Sequence, residues 1–327
     1  MNILVTGGAG YIGSFTVRAL KEAGHEIVVF DDLDQGHENS LPEKVKLVKG
    51  SLEDAILVED TVKKERIEAV MHFASRAQVG ESMRQPGKYF KDNVLGTVNL
   101  LEAMQKAHIY IIVFSSSAAV YGNPTTLPIP EDHSQIPTNV YGETKVMIEK
   151  LLYWYHEIHN INSISIRYFN AAGGAFDGSL GEDHKNESHI IPLAIHAALS
   201  KSEFTLNGDD YPTKDGTCIR DYVHVLDLVE AHMLALKALE NGSMCVSYNA
   251  ATGNGFSNKE IVEMVKQIAG DFKVKIGPRR EGDPAELVAD SSKLQKELGW
   301  KPKYSDLETI VKTAYLWHSK HPRGYTI

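Results

Sequence analysis

The chain opens Met1-Asn2-Ile3-Leu4-Val5-Thr6-Gly7-Gly8-Ala9-Gly10-Tyr11-Ile12-Gly13, and this stretch decides its fold. Ile3 to Val5 is a short apolar run that reads as a buried parallel strand, and glycines follow at once. From Tyr11 to Ala23 the spacing turns helical, with Ile12, Phe15, Ala19 and Leu20 on one side. Strand, glycine loop and helix start together form a phosphate cradle. Free backbone N–H groups and the positive end of the helix dipole face one point. The glycines are spaced Gly7-x-x-Gly10-x-x-Gly13, not Gly-x-Gly-x-x-Gly. They are needed where the turn is tight and where backbone must approach a pyrophosphate. Gly7, Gly10, Tyr11, Ile12 and Gly13 are therefore candidates for holding a dinucleotide.

Glu26 to Phe30 reads as a second strand, ending at Asp31-Asp32. A carboxylate at this strand end is where adenosine ribose hydroxyls would be held. No Lys or Arg lies between Asp31 and Ser40, and Asp34 and Glu38 add negative charge, so a 2′-phosphate would be repelled. The expected cofactor is NAD.

Farther on, strands are expected at Lys46 to Val48, Ala69 to Phe73, Ile109 to Ser115 and Ser163 to Tyr168. Helices are expected at Pro86 to Met104 and Gly142 to Asn160. This alternation predicts an α/β, doubly wound parallel sheet of the Rossmann kind, with ligands at the carboxyl ends of its strands. Phe73, Ala74, Ser115 to Ser117 and Asn170 fall at such ends.

Tyr141-Gly142-Glu143-Thr144-Lys145 places a phenol and an ammonium four residues apart, on one face of a helix. The ammonium is expected to hold the phenol partly ionised, making a base for a sugar hydroxyl while Ser117 shares the hydrogen bond. The alternative is a half-buried tyrosine beside a surface lysine.

After Asn170 the texture changes. Ala171-Ala172-Gly173-Gly174 breaks the pattern, and a polar stretch runs to Ser188. Short elements follow near Pro192 to Ser200 and Phe204 to Leu206. Val223 to Glu240 reads as a helix and Ser247 to Ala250 as a strand that returns to the main sheet. Ser257-Asn258-Lys259-Glu260 is a capping box opening a helix that stops at Gly270. Two domains are expected, 1–170 for NAD, with a crossing back near 217–252, and a smaller α/β part over 171–327 for substrate.

The 327 residues are 43% hydrophobic and 24% charged, which predicts an ordinary soluble globular protein. Two cysteines, Cys218 and Cys245, speak against a disulfide framework and for a reducing, cytoplasmic setting. No long apolar segment predicts a membrane span. Net charge −9 argues against broad nucleic-acid or membrane binding. The 14 histidines show no His-Glu-x-x-His and the cysteines no Cys-x-x-Cys, so no metal is assigned.

Several blocks in order carry a resemblance: His72-Phe73-Ala74, Val79-Gly80-Glu81-Ser82, Phe114 through Gly122, and Arg167-Tyr168-Phe169-Asn170. Gly208 through Thr217, Arg220-Asp221-Tyr222-Val223-His224-Val225 and Arg279-Arg280-Glu281-Gly282-Asp283 continue it to His321-Pro322-Arg323-Gly324-Tyr325. In these the chain resembles the UDP-sugar 4-epimerases of the extended short-chain dehydrogenase/reductase family. The resemblance implies reversible 4-epimerisation of UDP-glucose and UDP-galactose through a 4-keto sugar, on tightly held NAD. It implies Tyr141 as base, Lys145 on the nicotinamide ribose and Ser117 in the proton path. Leu52, Phe73, Ala74, Asn93, Ser115 and Tyr168 would join the cofactor site. Asn170, His189, Arg220, Arg280 and Asp283 would hold the UDP-sugar with Ser117 and Tyr141. Arg279 is as readily a surface ion pair, and His224 reads as structural. A homodimer through the helices near Pro86 to Met104 and Gly142 to Asn160 is implied as well.

Three residues depart from the family's pattern. Ser51 stands for an Asp near the adenine, Ala77 for a lysine reaching the cofactor, and Leu287 for a residue such as Tyr or Cys that helps set the room around the sugar, leucine being smaller than tyrosine. The last leaves room for N-acetylated sugars. Nucleotide-sugar dehydratases need an Asp-Glu pair where this chain has Ala118-Ala119, which cannot do acid–base work, and a UDP-glucuronate decarboxylase is disfavoured too. Epimerases of UDP-N-acetylglucosamine or UDP-pentoses use the same groups and stay open. From another class, a silent NAD-binding sensor would have no need of Ser117, Tyr141 and Lys145 together.

Overall fold

The computed structural model describes residues 1–279 and 284–325. In chain order the first part runs β1 (Asn2–Thr6), α1 (Tyr11–Glu22), β2 (Glu26–Asp31), β3 (Lys46–Lys49), α2 (Ala55–Lys64) and β4 (Ala69–His72). Then come α3 (Val79–Arg84), α4 (Pro86–Tyr89), α5 (Gly96–Lys106), β5 (Ile111–Ser115), α6 (Val140–His159) and β6 (Asn162–Arg167). The second part has β7 (Asn170–Ala172), α7 (Ile190–Ser200), β8 (Glu203–Asn207), β9 (Ile219–His224), α8 (Val225–Asn241) and β10 (Cys245–Asn249). It closes with β11 (Gly255–Ser257), α9 (Asn258–Ala269), β12 (Lys273–Gly277), β13 (Glu286–Leu287), α10 (Ser292–Leu298) and α11 (Leu307–Lys320).

Seven strands form one sheet in the order β10-β6-β5-β4-β1-β2-β3, and every pairing in it is parallel. A parallel sheet is covered on both faces, and the alternation along β1 shows how. Ile3 and Val5 join the core under α1 and α8, with Leu20, Leu228 and Leu236. Leu4 joins the opposite core under α2, α5 and α6, with Val62, Leu101 and Ile148. The strand order reverses beside β1, and in such sheets that switch point, outside the carboxyl ends of the strands, is where ligands bind.

β10 lies at the sheet edge beside β6, so the chain re-enters this sheet after β9 and α8. Away from it, β9 carries β7 and β13 in parallel and β11 antiparallel, while β8 pairs with β12. α7, α9 and α11 enclose a separate core of Ile195, Ile261, Val265, Ile310 and Ala314. The capping box at Ser257 and Glu260 forms as expected at the head of α9.

Two elements differ from the sequence reading. Val223 and His224 end a strand and do not begin a helix; α8 starts at Val225 with His224 as its N-cap. Ile219–His224 pairs with strands on both sides, so sheet pairing carries Val223 and His224 into a strand that the helical pattern running on from Val225 concealed. The helix expected over Pro86 to Met104 is broken by a π-helical turn at Phe90–Leu95. That turn contains Asn93, which is almost wholly buried.

Candidate active site

The glycine loop fits a dinucleotide on steric grounds. A Cβ on Gly13 would lie 2.1 Å from the Gly7 carbonyl oxygen, and one on Gly7 would lie 2.5 Å from the Ala74 nitrogen. Gly7 also has φ +69°, which L side chains rarely adopt. Backbone from three segments thus packs too closely at the head of α1 to admit a side chain. Phe73 and Ala74 are held there by donating both N–H groups to the Thr6 carbonyl, at 2.9 and 3.0 Å. Tyr11 leans out of the loop and donates its hydroxyl to the Gly173 carbonyl at 2.7 Å, tying α1 to the second part of the chain. Ile12 packs into the core.

Asp31 is buried and accepts the N–H groups of Ala9 and Leu33, each at 2.9 Å. Burial pushes its carboxyl up, and these two donors oppose that. Its first duty is to hold the glycine loop against β2. Asp32 is exposed beside it. The acidic stretch after Asp32 has a cation after all: Arg76, from the loop after β4, pairs with both Asp34 and Asp92, and Lys185 lies 3.8 Å from Asp34. Neighbours in sequence could not reveal it. Leu52 is a buried core residue whose carbonyl accepts the Asn99 amide at 2.8 Å.

At the ends of β5 and β6 the candidate catalytic groups gather. The N-cap Asn139 accepts the Gly142 N–H at 2.8 Å and starts α6, which turns Tyr141 and Lys145 inward. Both are buried. Burial pushes the Tyr141 phenol up, and a hydrogen bond from Ser117 lowers it. Lys145 lies one turn farther along the same face of α6. Its ammonium donates to the Ser115 carbonyl at 2.8 Å and stands 5.6 Å from the Tyr141 ring centre. Burial pulls that ammonium down to about 7, against the attraction of Glu149. The Ser117 oxygen also accepts the Ala119 N–H at 3.1 Å, which fixes its direction. Ser115 hydrogen-bonds Tyr168 at 2.8 Å, and Asn93 reaches Thr144 at 3.0 Å and the Arg76 N–H at 2.8 Å.

Glu149 is the residue that sequence reading missed. One turn beyond Lys145 on the same face of α6, it pairs with buried Arg167 and accepts the Ser116 hydroxyl at 2.6 Å. The spacing Tyr141, Lys145, Glu149, two successive steps of four, was the available signal.

Of the proposed uridine-diphosphate ligands, Asn170 donates to the Asp221 carbonyl at 3.3 Å, and Arg220 sits on β9 in register with Leu287. His189, at the head of α7, keeps company with Glu182, Glu187 and His184. Arg279 is a surface ion pair with Asp210 at 2.6 Å, stacked over Tyr211. His224 is structural: one ring nitrogen caps α8 and the other meets Thr313 at 3.0 Å. Arg280 and Asp283 lie outside the described residues.

A glycine loop at the switch point of a parallel sheet, with serines at the adjoining strand end and a tyrosine and lysine turned toward them from α6, defines a dinucleotide-binding enzyme of the short-chain dehydrogenase/reductase kind. The family model for the NAD dependent epimerase/dehydratase family matches residues 3–251, and the chain belongs to that family. It is 48% identical over 327 residues to a UDP-glucose 4-epimerase of Lactobacillus helveticus, covering 99% of each chain. A UDP-glucose 4-epimerase of Brucella ovis solved in complex with NAD superposes with a TM-score of 0.93 at 43% identity, over 96% of this chain and 97% of that one. One from Bifidobacterium longum, in complex with NAD+ and UDP, gives 0.93 at 35% identity over 99% and 100%.

Proposed function

We propose that the protein interconverts UDP-glucose and UDP-galactose by inverting C4 on retained NAD. The observation that carries this is the buried Tyr141 phenol, close enough to the Ser117 hydroxyl for that group to lower its pKa, beside the glycine loop that follows β1. When bound, NAD supplies the hydride acceptor and donor through which C4 passes as a ketone. The protein's groups do the rest. Tyr141 takes the proton of the 4-hydroxyl and returns it, and Ser117 holds that hydroxyl by the same hydrogen-bond pattern. Lys145 places a positive charge behind the phenol, and Asn93 with Thr144 braces α6. Asn170, His189, Arg220, Arg280 and Asp283 are assigned to the uridine diphosphate, arginine because its planar fork pairs with two phosphate oxygens.

The substrate part is assigned to 171–327 and the NAD part to 1–170, with 217–252 crossing back; the pairing of β10 with β6 supports this division. A homodimer through α5 and α6 is part of the reading. Trp154, Ile158, Tyr153 and Met147 on α6, with Leu95 before α5, leave large apolar groups in solvent, as an interface would. No helix among the described residues is long and apolar enough to cross a membrane. Free Cys218 and Cys245 support a reducing, cytoplasmic setting.

Purified protein mixed with UDP-galactose, with no NAD added, should form UDP-glucose, read with a separate UDP-glucose dehydrogenase after the reaction is stopped. Absence of product even after NAD is restored would sink the assignment.

A further inference from the structure

The polar loop between β7 and α7 gathers four side chains, of which the sugar-nucleotide reading uses only His189 and leaves the cluster itself unexplained. Glu182, His184, Glu187 and His189 follow the spacing Glu-x-His-x-x-Glu-x-His. Each offers a donor atom, and the four donors lie within 4.8 Å of one another. His184 Nδ1 is 3.3 Å from Glu182 Oε1 and 3.3 Å from Glu187 Oε2. His189 Nδ1 is 3.7 Å from Glu187 Oε1 and bonds directly to Glu182 Oε1. Four ligands at about 2.0–2.1 Å from a tetrahedral ion stand about 3.3–3.4 Å apart. The two His184 separations therefore match those of a tetrahedral site before any ion is added, while the 3.7 Å from His189 is measured to the other oxygen of Glu187.

The donor set points to one class of ion. Two imidazoles and two carboxylates are too rich in nitrogen for Ca2+ or Mg2+, and hold no thiolate for a softer metal. Zn2+ suits them, and four protein ligands make a closed, structural site. The surroundings fit as well. Glu187 Oε1 accepts the N–H groups of Ser188 and His189, both at 2.7 Å, which fixes that carboxylate from behind. The Glu182 carbonyl accepts the Trp317 indole N–H at 3.1 Å, so α11 anchors the loop. Glu182 is buried, while the half-exposed His189 ring leaves a path of entry. Among the described residues, the ion pairs of Glu182 and Glu187 are all with these two histidines.

We propose that Glu182, His184, Glu187 and His189 bind one divalent transition ion of the Zn2+ class, which fastens this loop to the head of α7. The sequence offered no familiar metal signature because all four ligands come from one irregular loop and not from a helix or a paired-cysteine turn. Ligation through Nδ1 leaves Nε2 of His189 for a substrate contact, so the site stands whether or not the sugar reading holds.

Tag-free protein stripped with EDTA is given Co2+, passed over a desalting column and read by elemental analysis and visible absorption. One Co2+ per chain, with the strong bands of tetrahedral coordination, displaced by Zn2+ together with a rise in Tm, is expected. Glu187→Gln, which keeps size and shape, should weaken Co2+ binding at least about 10-fold, the smaller end of losses for groups that merely orient ligands. The H184A/E187Q protein, shown to be folded by its circular dichroism, should retain none. Wild-type protein that keeps no ion, or variants that keep as much as wild type, would overturn the proposal.

Discussion

The Lys145 ammonium stands 5.6 Å from the centre of the Tyr141 ring and hydrogen-bonds the Ser115 carbonyl instead. Burial pushes the phenol up and Ser117 lowers it. Replacing Tyr141 with Phe keeps the ring and removes the proton carrier. Turnover should fall on the order of 10²–10⁴-fold, with NAD still bound after purification. Assay of UDP-galactose conversion and of acid-released NAD checks both halves, and unaltered turnover would remove Tyr141 from the chemistry.

Much of this site was legible in the sequence because it depends on local geometry. Gly7, Gly10 and Gly13 mark a strand-to-helix turn, and Tyr141 with Lys145 marks one helix face, whatever the rest does. What was hidden depends on contacts across the fold. Arg76 reaches Asp34 from 42 residues away, and Glu149 finds Arg167 on a neighbouring strand. The π-turn that aims Asn93 was hidden for another reason: its helical spacing is broken by only one residue, too little for an apolar pattern to show.

Gly13 tests the cradle. A methyl there meets only backbone, the Gly7 oxygen at 2.1 Å and the Gly8 Cα at 2.9 Å, so nothing flexible can move aside. Gly13→Ala should destabilise by about 1–3 kcal/mol, the usual cost of overpacking, and should purify without NAD. A melting curve and cofactor content are the readouts; wild-type values of both would mean the loop opens freely.

Arg167 and Glu149 form an ion pair with side chains 6% and 8% exposed. Glu149 also supports the charge on Lys145. Arg167→Met leaves that carboxylate buried without its partner, at a cost of about 3–5 kcal/mol. The double variant R167M/E149L should recover most of this in urea unfolding. If the single and double variants unfolded alike, the pair would not be what holds α6 to β6.

His232 predicts the acid behaviour. Burial pulls its imidazole from 6.5 down to about 4, while the Leu228 carbonyl opposes that. As pH falls below 6.5 the unfolded chain takes the proton and the folded one refuses it until about 4, so stability is lost across that window. His232→Gln should remove one proton's share of the slope, about 1.4 kcal/mol per pH unit at its steepest. His72, His224 and His318, also held low by burial, keep theirs. Urea unfolding at stepped pH measures the slope, and identical slopes would place the proton uptake elsewhere.

By the family resemblance Leu287 stands beside the sugar, and its size is then expected to decide which sugars are accepted. It is half-buried on β13, packs on the cluster of Ala118, Tyr121, Ala251 and Ala289 beside Phe169, and lies in register with Arg220. A leucine leaves more room there than a tyrosine would, and an N-acetyl group at C2 of the sugar needs room. Turnover of UDP-N-acetylglucosamine is therefore expected alongside UDP-glucose. Leu287→Tyr should depress it relative to UDP-glucose by about 10–200-fold, the range that shape alone gives an apolar pocket. Leu287→Ala should move the ratio the other way. If UDP-N-acetylglucosamine is not turned over by the wild type and the alanine variant does no better, the limit lies in the contacts to the diphosphate and not in the space beside Leu287.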